Sequence, residues 1–224
     1  MEQNLSKKTR TESDLIGSRE VPESALYGVQ TLRGIENFRI SKFHLNEYPL
    51  FIQALAITKM GAAVANRKLE LLTEEQADAI LKACKEVLEG KHHEQFPVDM
   101  IQGGAGTTTN MNANEVIANR ALELMGHRRG EYQYCSPNDH VNRSQSTNDA
   151  YPTAIHIGLY YTHLTLVKHF GELIASFRKK GKEFAHIIKM GRTQLEDAVP
   201  MTLGQTFNGF ASILAQEVKN LDFA

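Results

Sequence analysis

Two long helical patterns in the second half of the chain limit its possible folds more than any other feature. From about residue 153 to 188, and again from about residue 201, apolar residues recur at the spacing of one face of an α-helix. The last residues of the second pattern, 220–224, offer no C-cap and no glycine, and such a helix is expected to continue and to pack against partner helices. We predict a loop at residues 191–200 between them. The apolar positions are Ile155, Leu159, Leu166, Phe170, Leu173, Ile174 and Phe177, then Leu203, Phe207, Phe210, Leu214, Val218 and Leu221.

Three further helices are predicted in the first half of the chain. Residues 49–72 are rich in Leu, Ile and Ala. Residues 73–76, with the sequence TEEQ, have the form of a capping box, and Gly90 ends the helix that follows. A third pattern covers residues 112–125. Together with the two long patterns, these helices predict a mainly α fold.

Composition excludes several kinds of partner. The formal net charge of -1 gives no reason to expect nucleic acid or an anionic membrane surface as partner. No apolar run could span a bilayer, and the polar start of the chain has no apolar signal-peptide segment. Two cysteines, Cys84 and Cys135, make no disulfide framework, which favours a cytoplasmic protein with reduced thiols. The nine histidines show no metal-ligand spacing, so we expect no metal site and no cofactor.

Small, neutral hydrogen-bonding side chains are concentrated in three segments: residues 102–114 (QGGAGTTTNMNAN), 144–152 (SQSTNDAYP) and 191–205 (GRTQLEDAVPMTLGQ). Helix interiors avoid runs of Ser, Thr and Asn, so these segments are typical of helix starts and of loops that build a site. Each has a simpler interpretation. The first can be a glycine-rich turn, the second an N-cap with proline in the first turn, and the third a connecting loop.

In their order and spacing the three segments resemble the signature blocks of the aspartase/fumarase superfamily, and the similarity extends from about Thr9 almost to the last residue. GEYQY and QSTNDAYP are similar to the aspartase branch. Fumarases have His at the position of Gln194, Ser at Ala105 and His at Ser136. Because glutamine cannot titrate, a fumarase-type acid–base network would lack one group here.

The resemblance implies a fold and an assembly. Residues 1–143 would form an N-terminal helical domain with little β structure. Residues 144–224 would contribute the first long helices of a truncated central helix bundle, through which subunits associate into a homotetramer. Family members are considerably longer, so we expect the chain to be the N-terminal portion of such a subunit.

The resemblance also implies a substrate and a set of contacts. The substrate would be a small dicarboxylate, and the reaction the reversible elimination of ammonia from L-aspartate to give fumarate. Neutral donors suit this chemistry, because the carbanion formed by proton removal places charge on a carboxylate. Asn148 and Gln194 would contact the departing amine. The residues implied to hold the carboxylates and the amino group are Thr107, Ser146, Thr147, Asn148, Thr193 and Gln194.

One family motif does not occur in the chain. The flexible loop GSSxMPxKxN, whose serine is the family's catalytic base, is absent from residues 1–224. We therefore assign no catalytic residue and expect the chain alone to be inactive. A class II fumarase and a non-catalytic helical interaction module that keeps the fold remain the alternatives. Activation of the parent enzyme by divalent metal cannot be read from these residues.

Overall fold

A computed structural model describes residues 8–102 and 104–223 of the chain. The first seven residues of the polar start, Gly103 of the glycine-rich segment and Ala224 lie outside the described residues. The mainly helical fold with little β structure is confirmed. The chain divides between Leu159 and Tyr160 into two compact units. In the described part of the chain, no helix is both long and apolar enough to cross a membrane.

The first unit combines a β-hairpin with four helices and the start of a fifth. The hairpin strands pair antiparallel, and Arg33 holds the turn between them through two bonds of 2.8 Å to the Asp14 carboxylate. Short 3-10 helices at Leu45–Glu47 and His93–Gln95, and one π-helical turn at Pro137–Val141, connect the longer elements. The longer elements are β1 Thr9–Asp14, β2 Gly17–Pro22, α1 Val29–Asn37, α2 Pro49–Lys68, α3 Glu74–Leu88, α4 Thr107–Leu124 and α5 Thr147–Glu183.

Helices α2, α3 and α4 pack together around the core of the first unit. Buried apolar residues recur at helical spacing on each of these helices, as the hydrophobic pattern of α3 predicts. Helix α4 differs because most of its residues are buried, including several asparagines. Buried polar groups need hydrogen-bond partners, and the side-chain amides of Asn112 and Asn119 donate to the carbonyls of Gln95 at 3.0 Å and Leu26 at 2.8 Å. The largest buried apolar side chains of the core are Phe96, Leu45, Ile52, Leu55, Ile80, Ile117 and Leu122.

The predicted capping box at the start of α3 is present. The Thr73 hydroxyl accepts the N–H of Gln76 at 3.2 Å, and the Gln76 side chain accepts the N–H of Thr73 at 3.2 Å. We expect Thr73→Ala to lower the free energy of unfolding by about 1 kcal/mol, measured by urea denaturation. Thr73→Ser keeps the hydroxyl and is the control. Equal stability of the Ala and Ser variants would show that the cap contributes nothing.

Several predicted boundaries are wrong. Helix α4 begins at Thr107, not at residue 112, and α5 begins at Thr147, not at residue 153. The low helix propensity of Thr and Asn places both predicted starts too late in the chain. Side-chain hydrogen bonds stabilise those first turns, among them Gln102 to the N–H of Thr109 and Asn110 to Thr147. The nine-residue helix α1 was not predicted, because it is too short for a clear pattern.

The second unit contains the rest of α5, a β-hairpin and a last helix. Residues 191–200 do not form the predicted loop. All but the two turn residues 194 and 195 belong to the strands β3 Ile188–Thr193 and β4 Glu196–Thr202, which precede α6 Leu203–Phe223. The two helices contact each other through aromatic rings. The ring centroid of Phe177 on α5 lies 6.0 Å from that of Phe207 and 5.7 Å from that of Phe210 on α6. Several large apolar side chains of this unit are exposed, among them Leu164, Leu166, Leu173, Phe210, Ile213, Leu221 and Phe223.

Candidate active site

The first turns of α4 and α5 lie against each other in the first unit. The side-chain amide of Asn110 donates to the hydroxyl of Thr147 at 3.2 Å. One turn away on each helix, Gly106 lies so close to the ring of Tyr151 that a Cβ atom there would overlap ring atoms. Helix starts carry unpaired N–H groups and a partial positive charge, so each of these starts favours a bound anion.

Ser146 caps the start of α5. Its hydroxyl accepts the N–H of Asn148 at 3.1 Å, and its own N–H donates to the Asp149 carboxylate at 3.2 Å. The N-cap interpretation of this segment is therefore correct as far as local structure goes. It does not compete with a binding role, because Ser146 and Asn148 are exposed at the same helix start while Thr147 is half-buried.

Thr107 is the first residue of α4 and is also exposed. Its hydroxyl donates to the carbonyl of Gly104 at 2.6 Å, which fixes the glycine-rich turn before the helix. Within that turn Gly104, Ala105 and Gly106 all have positive φ angles, of 78°, 49° and 91°. The structure thus places four of the six predicted site residues at two adjacent helix starts.

The remaining two predicted residues belong to the second unit. Thr193 ends β3, and Gln194 and Leu195 form the two-residue turn of the hairpin. Both turn residues have positive φ angles, 52° and 67°, which non-glycine residues rarely adopt. Gln194 is exposed at this turn. Strained residues of this kind are concentrated at functional sites, which is consistent with a binding role.

A buried lysine lies beneath the start of α5, and sequence reasoning missed it. The Lys59 ammonium, 1% exposed, donates to Asn110 Oδ1 at 2.8 Å, Asn142 Oδ1 at 3.0 Å and Gln145 Oε1 at 3.0 Å. Burial lowers the pKa of Lys59 to about 7. A signal was present, since Lys59 continues the apolar face of α2 formed by Ile52, Leu55, Ala56 and Ala63.

The pKa of Lys59 predicts a pH-dependent stability. Its value of about 7 in the folded chain lies below the 10.5 of an exposed lysine. Between these values the unfolded chain binds more protons, so the free energy of unfolding rises with pH. We expect Lys59→Met to reduce this rise by up to about 1.4 kcal/mol per pH unit, measured by urea unfolding at about pH 7 and about pH 9.

The matched control is Lys68→Met, which removes an exposed lysine from the end of the same helix. This variant should keep the pH dependence of the original chain. If Lys59→Met also keeps it, the buried amine does not titrate in this range and the expected pKa is wrong.

A second buried polar cluster holds α4 at its middle. The Glu115 carboxylate accepts the N–H groups of Gly28, Gln30 and Thr31 at 2.8, 2.8 and 3.0 Å, and so caps α1. Burial raises the pKa of Glu115 to about 7, although these three donors oppose the shift. Glu12 accepts the N–H of Val29 at 3.0 Å and the hydroxyl of Tyr132 at 2.9 Å. The cluster fixes the helix that presents Thr107.

No metal centre competes with this description of the site. Among residues 8–102 and 104–223, no group of three or more His, Cys, Asp and Glu side chains is arranged to hold a metal ion. Both cysteines are buried free thiols, and burial raises the pKa of each to about 12.

Comparison with known proteins defines the class. A family model described as "Lyase" matches residues 17–224, so the chain belongs to this lyase family. Proteins named aspartate ammonia-lyase are similar to nearly all of it. The protein from Pseudomonas canavaninivorans is 58% identical over 95% of this chain and 45% of its own length. The protein from Escherichia coli K12 is 55% identical over 97% of this chain and 46% of its own length. The chain thus spans less than half of these curated relatives.

Solved structures agree with the fold. A fumarate lyase:delta crystallin from Brucella melitensis superposes with a TM-score of 0.91 and is 52% identical, over 96% of this chain and 48% of its own. A class II fumarase from Schistosoma mansoni has a TM-score of 0.85 and is 39% identical, over 95% of this chain and 44% of its own. The predicted membership of the aspartase/fumarase superfamily is confirmed.

Proposed function

We propose that the chain is the N-terminal part of an aspartate ammonia-lyase subunit, which reversibly eliminates ammonia from L-aspartate to give fumarate. The observation that carries this proposal is the similarity of nearly the whole chain to proteins of that name. The adjacent starts of α4 and α5 support it, because they offer hydroxyl, amide and backbone donors to a dianionic substrate.

The proposed chemistry uses these donors on the charge that develops during elimination. Removing a proton from the carbon beside the substrate carboxylate makes a carbanion, whose charge spreads onto that carboxylate. Thr147 is pre-oriented by its bond from Asn110, which in turn accepts from Lys59. Donors fixed in this way stabilise the transition state without reorganising. The proposed substrate contacts are Thr107, Ser146, Thr147, Asn148, Thr193 and Gln194.

The group that removes the proton is proposed to lie in the part of the relatives that this chain does not cover. An extended chain provides the test: residues 1–224 followed by the section of the Escherichia coli relative that continues the match. We expect purified extended chain to form fumarate from aspartate, and the 224-residue chain alone to form none. Hydration of fumarate to malate is assayed in parallel, because malate formation would favour the fumarase alternative. A folded extended chain with neither activity would favour the non-catalytic module.

The exposed apolar side chains of α5 and α6 support a proposed homotetramer. Burying one such side chain contributes about 1.5–3 kcal/mol, so several together favour association. We expect light scattering over a concentration series to show tetramers of the extended chain. A monomer at every concentration, with α5 and α6 strongly protected from hydrogen exchange, would contradict this assembly.

A further inference from the structure

The ring of Tyr151 lies between two helices at the candidate site. On one side it packs against Gly106, where a Cβ atom would overlap Cγ, Cδ1 and Cδ2 of the ring. On the other side it meets the ring of Phe51 on α2 edge-on, with centroids 5.7 Å apart and planes at 64°. The ring is half-buried. Tyr151 therefore contacts both the turn that starts α4 and the helix that carries Lys59.

One helical turn away, the hydrogen bond between Asn110 and Thr147 joins the same two helices. Tyr151 follows Thr147 by four residues on α5, and Asn110 follows Gly106 by four residues at the start of α4, so each pair lies on one helix face. The Asn110 N–H donates to the carbonyl of Gly106 at 2.9 Å, which ties the two contact points of α4 together. The ring contact and the Asn110–Thr147 bond thus hold the two helix starts at a fixed spacing.

We propose that Tyr151 is a positioning residue for the substrate contacts Thr107 and Thr147, acting through its ring and not its hydroxyl. The inference rests on the proposed function and deepens it. The close approach requires a residue without a side chain at Gly106, and it sets the separation of two groups that must both reach one small dicarboxylate. Misplacing such groups by about 1 Å can reduce the rate a hundredfold.

The first test separates the ring from the hydroxyl in the extended chain. Tyr151→Phe keeps the ring, and we expect aspartate turnover close to that of the unchanged protein. Tyr151→Ala removes the ring, and we expect kcat/KM to fall about ten- to a hundredfold with a raised KM. A merely structural role would reduce the amount of folded enzyme and leave KM unchanged. Equal losses in both variants, or an unchanged KM in Tyr151→Ala, would overturn the proposal.

The second test uses the glycine and does not depend on activity. Gly106→Ala in the 224-residue chain introduces a clash with the ring, so we expect faster amide hydrogen exchange at residues 107–110. Gly90→Ala is the matched control, because Gly90 has a similar φ of 88° but nothing within 4 Å of an added Cβ atom. Adding Tyr151→Ala to Gly106→Ala removes the clash and should restore part of the protection.

The two tests are independent, so the ring contact and the proposed function can be contradicted separately. If the loss of protection next to residue 106 in the Gly106→Ala chain equals the loss next to residue 90 in the Gly90→Ala chain, and Tyr151→Ala restores none of it, backbone strain alone explains the loss and the ring contact is overturned. An extended chain that turns over no aspartate before any substitution would contradict the proposed function. The exchange comparison would then still decide whether the ring holds the two helix starts together.

Discussion

Replacing Thr147 by Val in the extended chain is expected to lower kcat/KM for aspartate about ten- to a thousandfold. Valine keeps the shape of threonine and removes the hydroxyl that accepts from Asn110 at the start of α5. If that hydroxyl contacts a carboxylate that gains charge in the transition state, its loss raises the barrier of the chemical step. Thr193→Val is expected to act in the same range.

Thr153→Val is the control for this series, since Thr153 is exposed on the same helix beyond the candidate site. It should leave the kinetics unchanged. Steady-state rates and circular dichroism of all three variants are the measurement. Unchanged kinetics in a folded Thr147→Val or Thr193→Val protein would remove that threonine from the site.

Replacing Gly28 by Ala is expected to lower the free energy of unfolding by about 2–4 kcal/mol. An added Cβ atom would lie 2.5 Å from Glu12 Oε2, 2.7 Å from the Tyr132 hydroxyl and 2.9 Å from Glu115 Cδ. These groups cannot move away freely, because Glu115 accepts three backbone N–H groups and Glu12 pairs with Arg10 at 2.7 Å. Relief of the clash would break hydrogen bonds to buried carboxylates.

Gly61→Ala is the matched control, because Gly61 lies within α2 and an added Cβ atom would meet nothing within 4 Å. That variant should gain about 1 kcal/mol from helix propensity. Urea denaturation of the 224-residue chain gives both values. A Gly28→Ala chain as stable as the original would show that the carboxylate cluster is loosely held.

The sequence predicts those elements of the fold whose structure depends on the spacing of apolar residues. The capping box at Thr73 and the helix that follows it are predicted correctly, because the cap and the spacing of apolar residues indicate the same helix. The start of α4 is not predicted correctly, since Thr and Asn have low helix propensity and the hydrogen-bond partners of these residues lie far away in sequence. Asn110, for example, bonds to Asn142 and Thr147. Long-range partners of this kind leave no local signal.

The candidate site, like the fold, is predicted only in part from the sequence. The segments around Thr107 and Thr147 were found from composition and from the resemblance, and the structure brings these two helix starts together. Lys59 was missed because a single charge in an apolar helix has no interpretation until its partners are known. Residues 191–200 were read as a loop because polar side chains conceal strand pairing between exposed strands.

The turn at Gln194 and Leu195 has a consequence for engineering the protein. Two-residue hairpin turns with positive φ at both positions favour Asn-Gly, whereas this chain places a long amide and a large apolar side chain there. Leu195 is 92% exposed, so burial does not compensate for its strained backbone. A residue at position 195 that adopts positive φ more readily, such as glycine, is therefore expected to stabilise the hairpin. The amide of Gln194 would stay in place.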